Sequence, residues 1–169
     1  MKELYIYEVN PSYLRFLHKV DHRVSVKFNN RPFVGVITMI NGMEYLLPLT
    51  SKTTIERKKE GKKKRADRTT TFIRDTSGKE IANILHNNMI PVSNQVCKIK
   101  MINPELDTFE SNEIRFIRKH KNDIISKARK VYEDRIKQKD PFLNRICCDF
   151  KLLEKYRQKY LVKMKEKLV

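Results

Sequence analysis

The sequence predicts an α+β fold: a small, curled antiparallel β-sheet from the N-terminal half, with helices packed around it from a helical C-terminal half. Three observations lead there. Short β-branched and aromatic runs separated by turn residues fill the chain up to about Met101, and Asn41-Gly42 joins two of them. After Asp107 the apolar residues switch to three- and four-residue spacing.

Leu4 to Val9 has the composition of a first strand. Asn10-Pro11-Ser12 then supplies a helix cap with proline at the first helical position, and Tyr13, Leu14, Phe16, Leu17 and Val20 give that helix an apolar face. Phe33 to Ile40 and Met43 to Leu49 are strands of a hairpin. Asn-Gly between such runs suits a turn in which both central residues have φ > 0. From Thr50 to Thr69 no hydrophobic period survives, which predicts a long, mobile basic loop. Strands resume at Thr70 to Arg74, Ile81 to Leu85 and Gln95 to Met101, with a turn at Asp75-Thr76-Ser77-Gly78 and a connection through Asn87-Asn88-Met89-Ile90-Pro91.

In the C-terminal half, Ile114, Ile117, Ile124, Ile125, Ala128, Val131, Tyr132 and Ile136 mark helical stretches, with Asn122 or Asp123 as the cap of a second helix and Asp140-Pro141 as its end. Asp149 caps a last helix whose Leu152, Leu153, Tyr156, Tyr160 and Met164 share a face. That stripe reads as core, while Lys155, Lys159 and Lys163 lie opposite it. At 169 residues and 40% hydrophobic content, with no linker or repeat, one domain over residues 1–169 is expected.

The charge is the strongest functional signal. Lys and Arg total 37 against 20 Asp and Glu, a net charge of +17, which calls for a polyanionic partner. A membrane partner is disfavoured, because the longest apolar run, Phe33 to Ile40, is far short of the ~20 residues a span needs. Met1-Lys2-Glu3-Leu4 runs straight into a strand-like stretch, so no targeting segment and a cytoplasmic location are expected. Cys97, Cys147 and Cys148 form no metal or disulfide spacing and read as small buried residues in a reducing compartment. The four glycines do not cluster into a phosphate-cradling loop, so no nucleotide hydrolysis and no cofactor are expected.

Chemistry concentrates where the hairpin ends. Pro48-Leu49-Thr50-Ser51-Lys52 puts two hydroxyls and an ammonium where a core strand runs out toward solvent. Hydroxyls can donate to a phosphate oxygen and Lys52 can offset its charge, although the same residues also suit an ordinary polar turn. Lys27, Asn29, Asn30 and Arg31 precede the first hairpin strand, and antiparallel pairing would carry Lys27 and Arg31 beside Ser51. A solvated basic loop is the competing reading. Arg57, Lys58, Lys59, Lys62, Lys63, Lys64, Arg65 and Arg68 form the element best suited to contact a nucleic-acid backbone. His18, His22, His86 and His120 are scattered; His86, at a strand end, could face a site or serve as an ordinary polar residue.

Four stretches carry a resemblance: Phe33-Val34-Gly35-Val36, Tyr45-Leu46-Leu47-Pro48-Leu49-Thr50-Ser51, Met89-Ile90-Pro91, and Cys148-Asp149-Phe150 with Leu152-Leu153-Glu154-Lys155-Tyr156. In order and spacing the chain resembles the ToxN/AbiQ endoribonuclease toxins of type III toxin–antitoxin systems. The resemblance implies a partly barrel-like sheet related to MazF-type toxins, metal-independent cleavage of cellular and phage RNA, and defence against phage. It also implies inhibition by a pseudoknotted antitoxin RNA made from short tandem repeats, in closed toxin–RNA assemblies. Thr50 and Ser51 match the family's functional hydroxyl pair, Arg31 falls where the family has a basic site residue, and Lys27 lies where an aromatic can stand. Without a metal, the RNA's own 2′-OH is the natural nucleophile, which leaves a 2′,3′-cyclic phosphate. Ser51 would then position phosphate or 2′-OH, Thr50 orient beside it, and Arg31 and Lys27 stabilise developing charge. The alternative is a noncatalytic RNA-binding module, such as a ribosome-associated protein.

Overall fold

The computed structural model describes residues 5–26, 34–100, 102, 105 and 108–169. Leu4, Lys27, Asn29, Asn30, Arg31, Phe33 and Met101, each given a place above, lie outside them.

Strand β1 (Ile6–Val9) leads into helix α1 (Pro11–Val20), where the Asn10 side chain accepts from the Ser12 amide and Pro11 opens the first turn. The hairpin follows as β2 (Val34–Ile40) and β3 (Met43–Thr50). Its turn has φ of 50° at Asn41 and 76° at Gly42, the left-handed pair that Asn-Gly favours. Strands β4 (Thr70–Arg74), β5 (Glu80–Leu85), β6 (Ile90–Pro91) and β7 (Cys97–Ile99) complete the sheet. Every pairing is antiparallel, in the order β4-β5-β3-β2-β1-β7, with β6 also on β3. The described strands form an open sheet of seven.

β3 organises the sheet. One edge pairs with β2 from Met43 to Pro48. The other takes β6 at Tyr45 and Leu46, then β5 at Leu49 and Thr50. Tyr45 through Leu49 are all buried, so the strand is covered on both faces and reads as a continuous apolar run. Burial ends at Thr50, so whatever follows is held by the core yet faces water.

The helices are α3 (Phe109–Lys119), α4 (Lys121–Ile136), α5 (Pro141–Ile146) and α6 (Phe150–Lys167). Asp149 caps α6 by accepting from the Leu152 amide, as expected. Tyr156, Tyr160 and Met164 pack against the core, with the Tyr160 ring 5.0 Å from both Tyr13 and Phe16. Below them, Tyr45 and Tyr132 each donate a 2.7 Å hydrogen bond to Glu154 Oε1, so one carboxylate ties β3 and α4 to α6. Buried Asp21 accepts from the Asp149 amide at 2.7 Å and from the Arg23 guanidinium, joining the end of α1 to the start of α6. Cys147 and Cys148 are buried, and Cys97 is partly so.

Four expectations need correction. The segment from Thr50 to Thr69 is not a structureless loop. It holds helix α2 (Thr54–Lys59) and a 3-10 turn at Asp67–Thr69. α2 buries no residue, so it shows no hydrophobic period; it starts on a capping box in which the Thr53 hydroxyl accepts from the Glu56 amide and Glu56 accepts from the Thr53 amide. The break between α3 and α4 falls at His120, not at Asn122 or Asp123, because no side-chain cap marks it. Asp140 does not end a helix; α4 stops at Ile136 and Asp140 accepts from the Phe142 and Leu143 amides to start α5. The Asn87–Pro91 connection contains β6, whose two residues are too few to show alternation.

Gly35 lies opposite both Tyr7 and Pro48, and a Cβ there would run into the Leu47 carbonyl and the Leu46 side chain. The obstructing carbonyl belongs to a paired, buried strand and cannot move aside. Gly35→Ala should therefore lower stability by ~1–3 kcal/mol, read as a lower denaturant midpoint; an unchanged midpoint would show that β2 and β3 are less closely apposed.

Candidate functional site

The sheet carries the chain out of the core at the end of β3. Thr50 lies opposite Asn83 of β5, and its Oγ1 accepts from the Lys52 amide at 3.2 Å, which tightens the exit turn. Ser51 is exposed, and its hydroxyl bonds to none of the described residues. The hydroxyl is thus available while the backbone beneath it is held by pairing.

α2 sits directly after this turn and is attached to the sheet. Its first amide, from Thr54, donates to Glu80 Oε1 at 2.8 Å. The same oxygen accepts from Asn83 Nδ2, also at 2.8 Å. Burial pushes the Glu80 carboxyl up, but the Asn83 and Thr54 bonds outweigh it, and the group ends below its ordinary range. Glu60 is likewise lowered, by Lys52 first and then by Lys62; their ammonium groups lie 2.6 and 3.0 Å from its two oxygens. Glu56 is occupied by the α2 cap. The carboxylates around Ser51 therefore hold amides and cations.

The basic residues divide by what they already hold. Arg57 donates to the Lys63 carbonyl, Lys64 lies 4.8 Å from the Phe72 ring centroid, and Arg65 donates to Asn83 Oδ1 at 3.2 Å. Arg68 pairs with Asp134 and Asp140, and Lys52 and Lys62 share Glu60. Lys58, Lys59 and Lys63 are exposed, and no ion pair among the described residues offsets them. From outside the segment, Lys127 of α4 donates to the Asp67 and Thr70 carbonyls, pinning its end to the helical layer. Lys27 and Arg31 have no described position, so Ser51, Thr50 and Lys52 are the expected site residues that the structure brings together.

His86 does not face this site. The 3-10 turn His86–Asn88 carries it into the core, where it is fully buried and Nε2 shares a 2.8 Å hydrogen bond with the Thr71 hydroxyl. Nothing local in the sequence distinguishes a strand end that turns outward from one that folds back. Asn83 and Glu80 carry no local signal in the sequence, because polar residues in a short strand usually mark its solvent face; Asn83 is instead buried.

The chain as a whole matches a known class of bacterial toxins. The sequence model described as "Toxin ToxN, type III toxin-antitoxin system" matches residues 5–158, and the chain belongs to that family. It is 30% identical over 166 residues to the endoribonuclease ToxN of Bacillus thuringiensis subsp. kurstaki, covering 90% of this chain and 81% of that protein. To the endoribonuclease AbiQ of Lactococcus lactis subsp. lactis it is 28% identical over 158 residues, covering 89% and 86%. A solved structure concerned with bacterial type III toxin–antitoxin systems, and with selective toxin inhibition by a non-coding RNA pseudoknot, superposes with a TM-score of 0.79 at 29% identity, over 94% of this chain and 98% of that one.

The buried histidine has a measurable consequence. Burial, with Lys127 nearby, pushes the His86 imidazole from 6.5 down to about 3. The folded chain resists a proton that the unfolded chain accepts, so the stability that neutral His86 permits is full above pH 6.5 and is lost as pH falls toward 3. His86→Gln, which cannot titrate, should show a shallower fall in melting temperature across that window than the parent. Parallel curves would show that His86 takes up its proton without opening the fold.

Proposed function

We propose that this chain is the toxin of a type III toxin–antitoxin system and cleaves RNA without a metal, at the end of β3. The observation that carries the reading is the Ser51 hydroxyl, exposed and uncommitted on a turn that the sheet holds in place. In the proposed reaction the RNA 2′-oxygen attacks the adjacent phosphorus, the bond to the 5′-oxygen breaks, and the proton lost by the 2′-OH is balanced by one gained at the leaving oxygen. A 2′,3′-cyclic phosphate and a 5′-OH result. Ser51 does not ionise near neutral pH, so its role is to orient the 2′-OH or the phosphate. Thr50, whose side chain is tied to the Lys52 amide, fixes the turn beside it. Arg31 and Lys27 stabilise charge on the phosphorane.

The exposed lysines of the segment after β3 hold the RNA backbone; Lys58, Lys59 and Lys63 are freest to do so, with Lys52, Arg57, Lys62, Lys64 and Arg68 contributing where RNA displaces an existing partner and Arg65 through the guanidinium edge it leaves open. The pseudoknot inhibitor described for the similar structure supports a further part of the reading: an antitoxin RNA from short tandem repeats silences the toxin in a closed assembly. On this reading residues 1–169 act as one cytoplasmic domain with a sheet of MazF type. No helix among the described residues is long and apolar enough to cross a membrane.

Purified protein should cut a mixed RNA population in excess EDTA and leave cyclic phosphate ends. Ser51→Ala should slow that cleavage by roughly 10²–10³ and abolish toxicity in cells, yet still co-elute with the antitoxin RNA. Cleavage that stops on chelation or leaves 5′-phosphates, or a folded Ser51→Ala protein that cuts at the parent rate, would contradict the mechanism. Parent protein that binds RNA and never cuts it would instead favour the noncatalytic module.

A further inference from the structure

Among the described residues, Arg65 is the cation of the basic segment that hydrogen-bonds a side chain of the sheet. Like Arg57, which bonds only a neighbouring carbonyl, it is half-buried, whereas Lys58, Lys59, Lys62, Lys63, Lys64 and Arg68 are exposed. Its Nε donates to Asn83 Oδ1, and both terminal nitrogens of the guanidinium are without a hydrogen-bond partner among the described residues. Arg68, a few residues on, gives its terminal nitrogens to Asp134 and Asp140. A guanidinium drawn partly out of water without a carboxylate is costly to maintain, and Arg57 adds repulsion. The carboxylate that bears on it, Glu80, uses Oε1 for Thr54 and Asn83.

The sheet register says where that free edge lies. Phe72 of β4 lies opposite Asn83 of β5, and Asn83 lies opposite Thr50 of β3. Residues paired across antiparallel strands project from the same face, so Phe72, Asn83 and Thr50 form one row that ends at the turn carrying Ser51. Arg65 and Lys64 lie over that row, on Asn83 and Phe72 respectively. The Asn83 amide has one orientation open to it. Its nitrogen donates to Glu80 Oε1 at 2.8 Å and to the Ala82 carbonyl at 2.6 Å, which leaves its oxygen for Arg65. Glu80 in turn holds the first amide of α2. The guanidinium is thus anchored at Nε to the sheet while its opposite edge is open.

We infer that Arg65 donates this open edge to the phosphate being cleaved beside Thr50 and Ser51, with Asn83 and Glu80 as positioning residues that hold it there. A planar fork of N–H donors suits the two non-bridging oxygens of a phosphodiester, and those oxygens gain charge as the phosphorane forms. The inference rests on the cleavage site proposed above. It separates Arg65 from the general backbone contacts of its neighbours.

The test is single-turnover cleavage of one transcript that the parent protein cuts, with the protein varied to saturation. Arg65→Ala should lower the maximal rate by ~10²–10³, whereas Lys63→Ala should chiefly raise the protein concentration that gives half the maximal rate. Added guanidinium ion should restore part of the Arg65→Ala rate, and ammonium at equal ionic strength should not; a merely structural arginine would show no such rescue. Arg65→Lys keeps the charge but loses the fork and the Asn83 anchor, so it should be roughly tenfold slower at saturation while still melting cooperatively as a folded protein. That variant decides the matter if Arg65→Ala does not fold. Arg65→Ala or Arg65→Lys at the parent's maximal rate, in a series where Ser51→Ala is slow, would overturn the role of Arg65 while leaving the site in place. A parent that cuts no RNA would overturn both.

Discussion

The structure depends on β3 being buried on both faces while changing partners along its length. Five consecutive buried residues, Tyr45 to Leu49, commit the strand to the core, with β2 on one edge and β6 then β5 on the other. The helical layer is tied to the same strand, because the Tyr45 hydroxyl shares Glu154 with Tyr132 and so binds α4 and α6 to it. A strand held this firmly cannot slip register without turning its side chains to the wrong face. Its last residue therefore reaches solvent at a defined place, and the hydroxyls of Thr50 and Ser51 inherit that precision.

The same constraint explains how a strongly basic segment stays ordered. Residues 54 to 69 bury little, but they are fastened at several points: the Thr53 cap, the Thr54 amide on Glu80, Arg65 on Asn83, and Lys127 on the Asp67 and Thr70 carbonyls. These are polar ties to sheet and helix, not apolar packing. They leave Lys58, Lys59 and Lys63 pointing to water while Arg65 is drawn inward. A charge run in one dimension becomes two populations in three: a solvated rim and a cation held on the buried Asn83 of β5.

Much of this was legible in the residues because the signals were local. Asn41-Gly42 specified the hairpin turn, Asn10-Pro11 the start of α1, Asp149 the start of α6, and Thr70 to Arg74 the limits of β4. The remaining features have no local signature. α2 has no buried face to generate a period, β6 is too short to alternate, and His120 interrupts two helices without a capping side chain. Of the site, the Thr50-Ser51 pair was visible as hydroxyls at a strand end. The Asn83–Glu80 support was not, because it depends on which strand lies beside β3, and pairing between residues more than thirty positions apart leaves no mark in either segment. His86 looked like a strand-end residue and proved to be core because the following turn folds inward.

The central claim is that an RNA phosphate sits at the corner where β3 leaves the core. The most direct measurement is a structure of the protein bound to an RNA that it cuts, with the 2′-OH at the cleaved position replaced by 2′-O-methyl so that the bond survives. The expected result is the uncut phosphodiester within hydrogen-bond reach of Ser51 Oγ, with the RNA backbone continuing over the segment that carries Lys58, Lys59 and Lys63. An RNA whose cleavage position lies on the helical layer, with the Thr50-Ser51 turn empty, would contradict it.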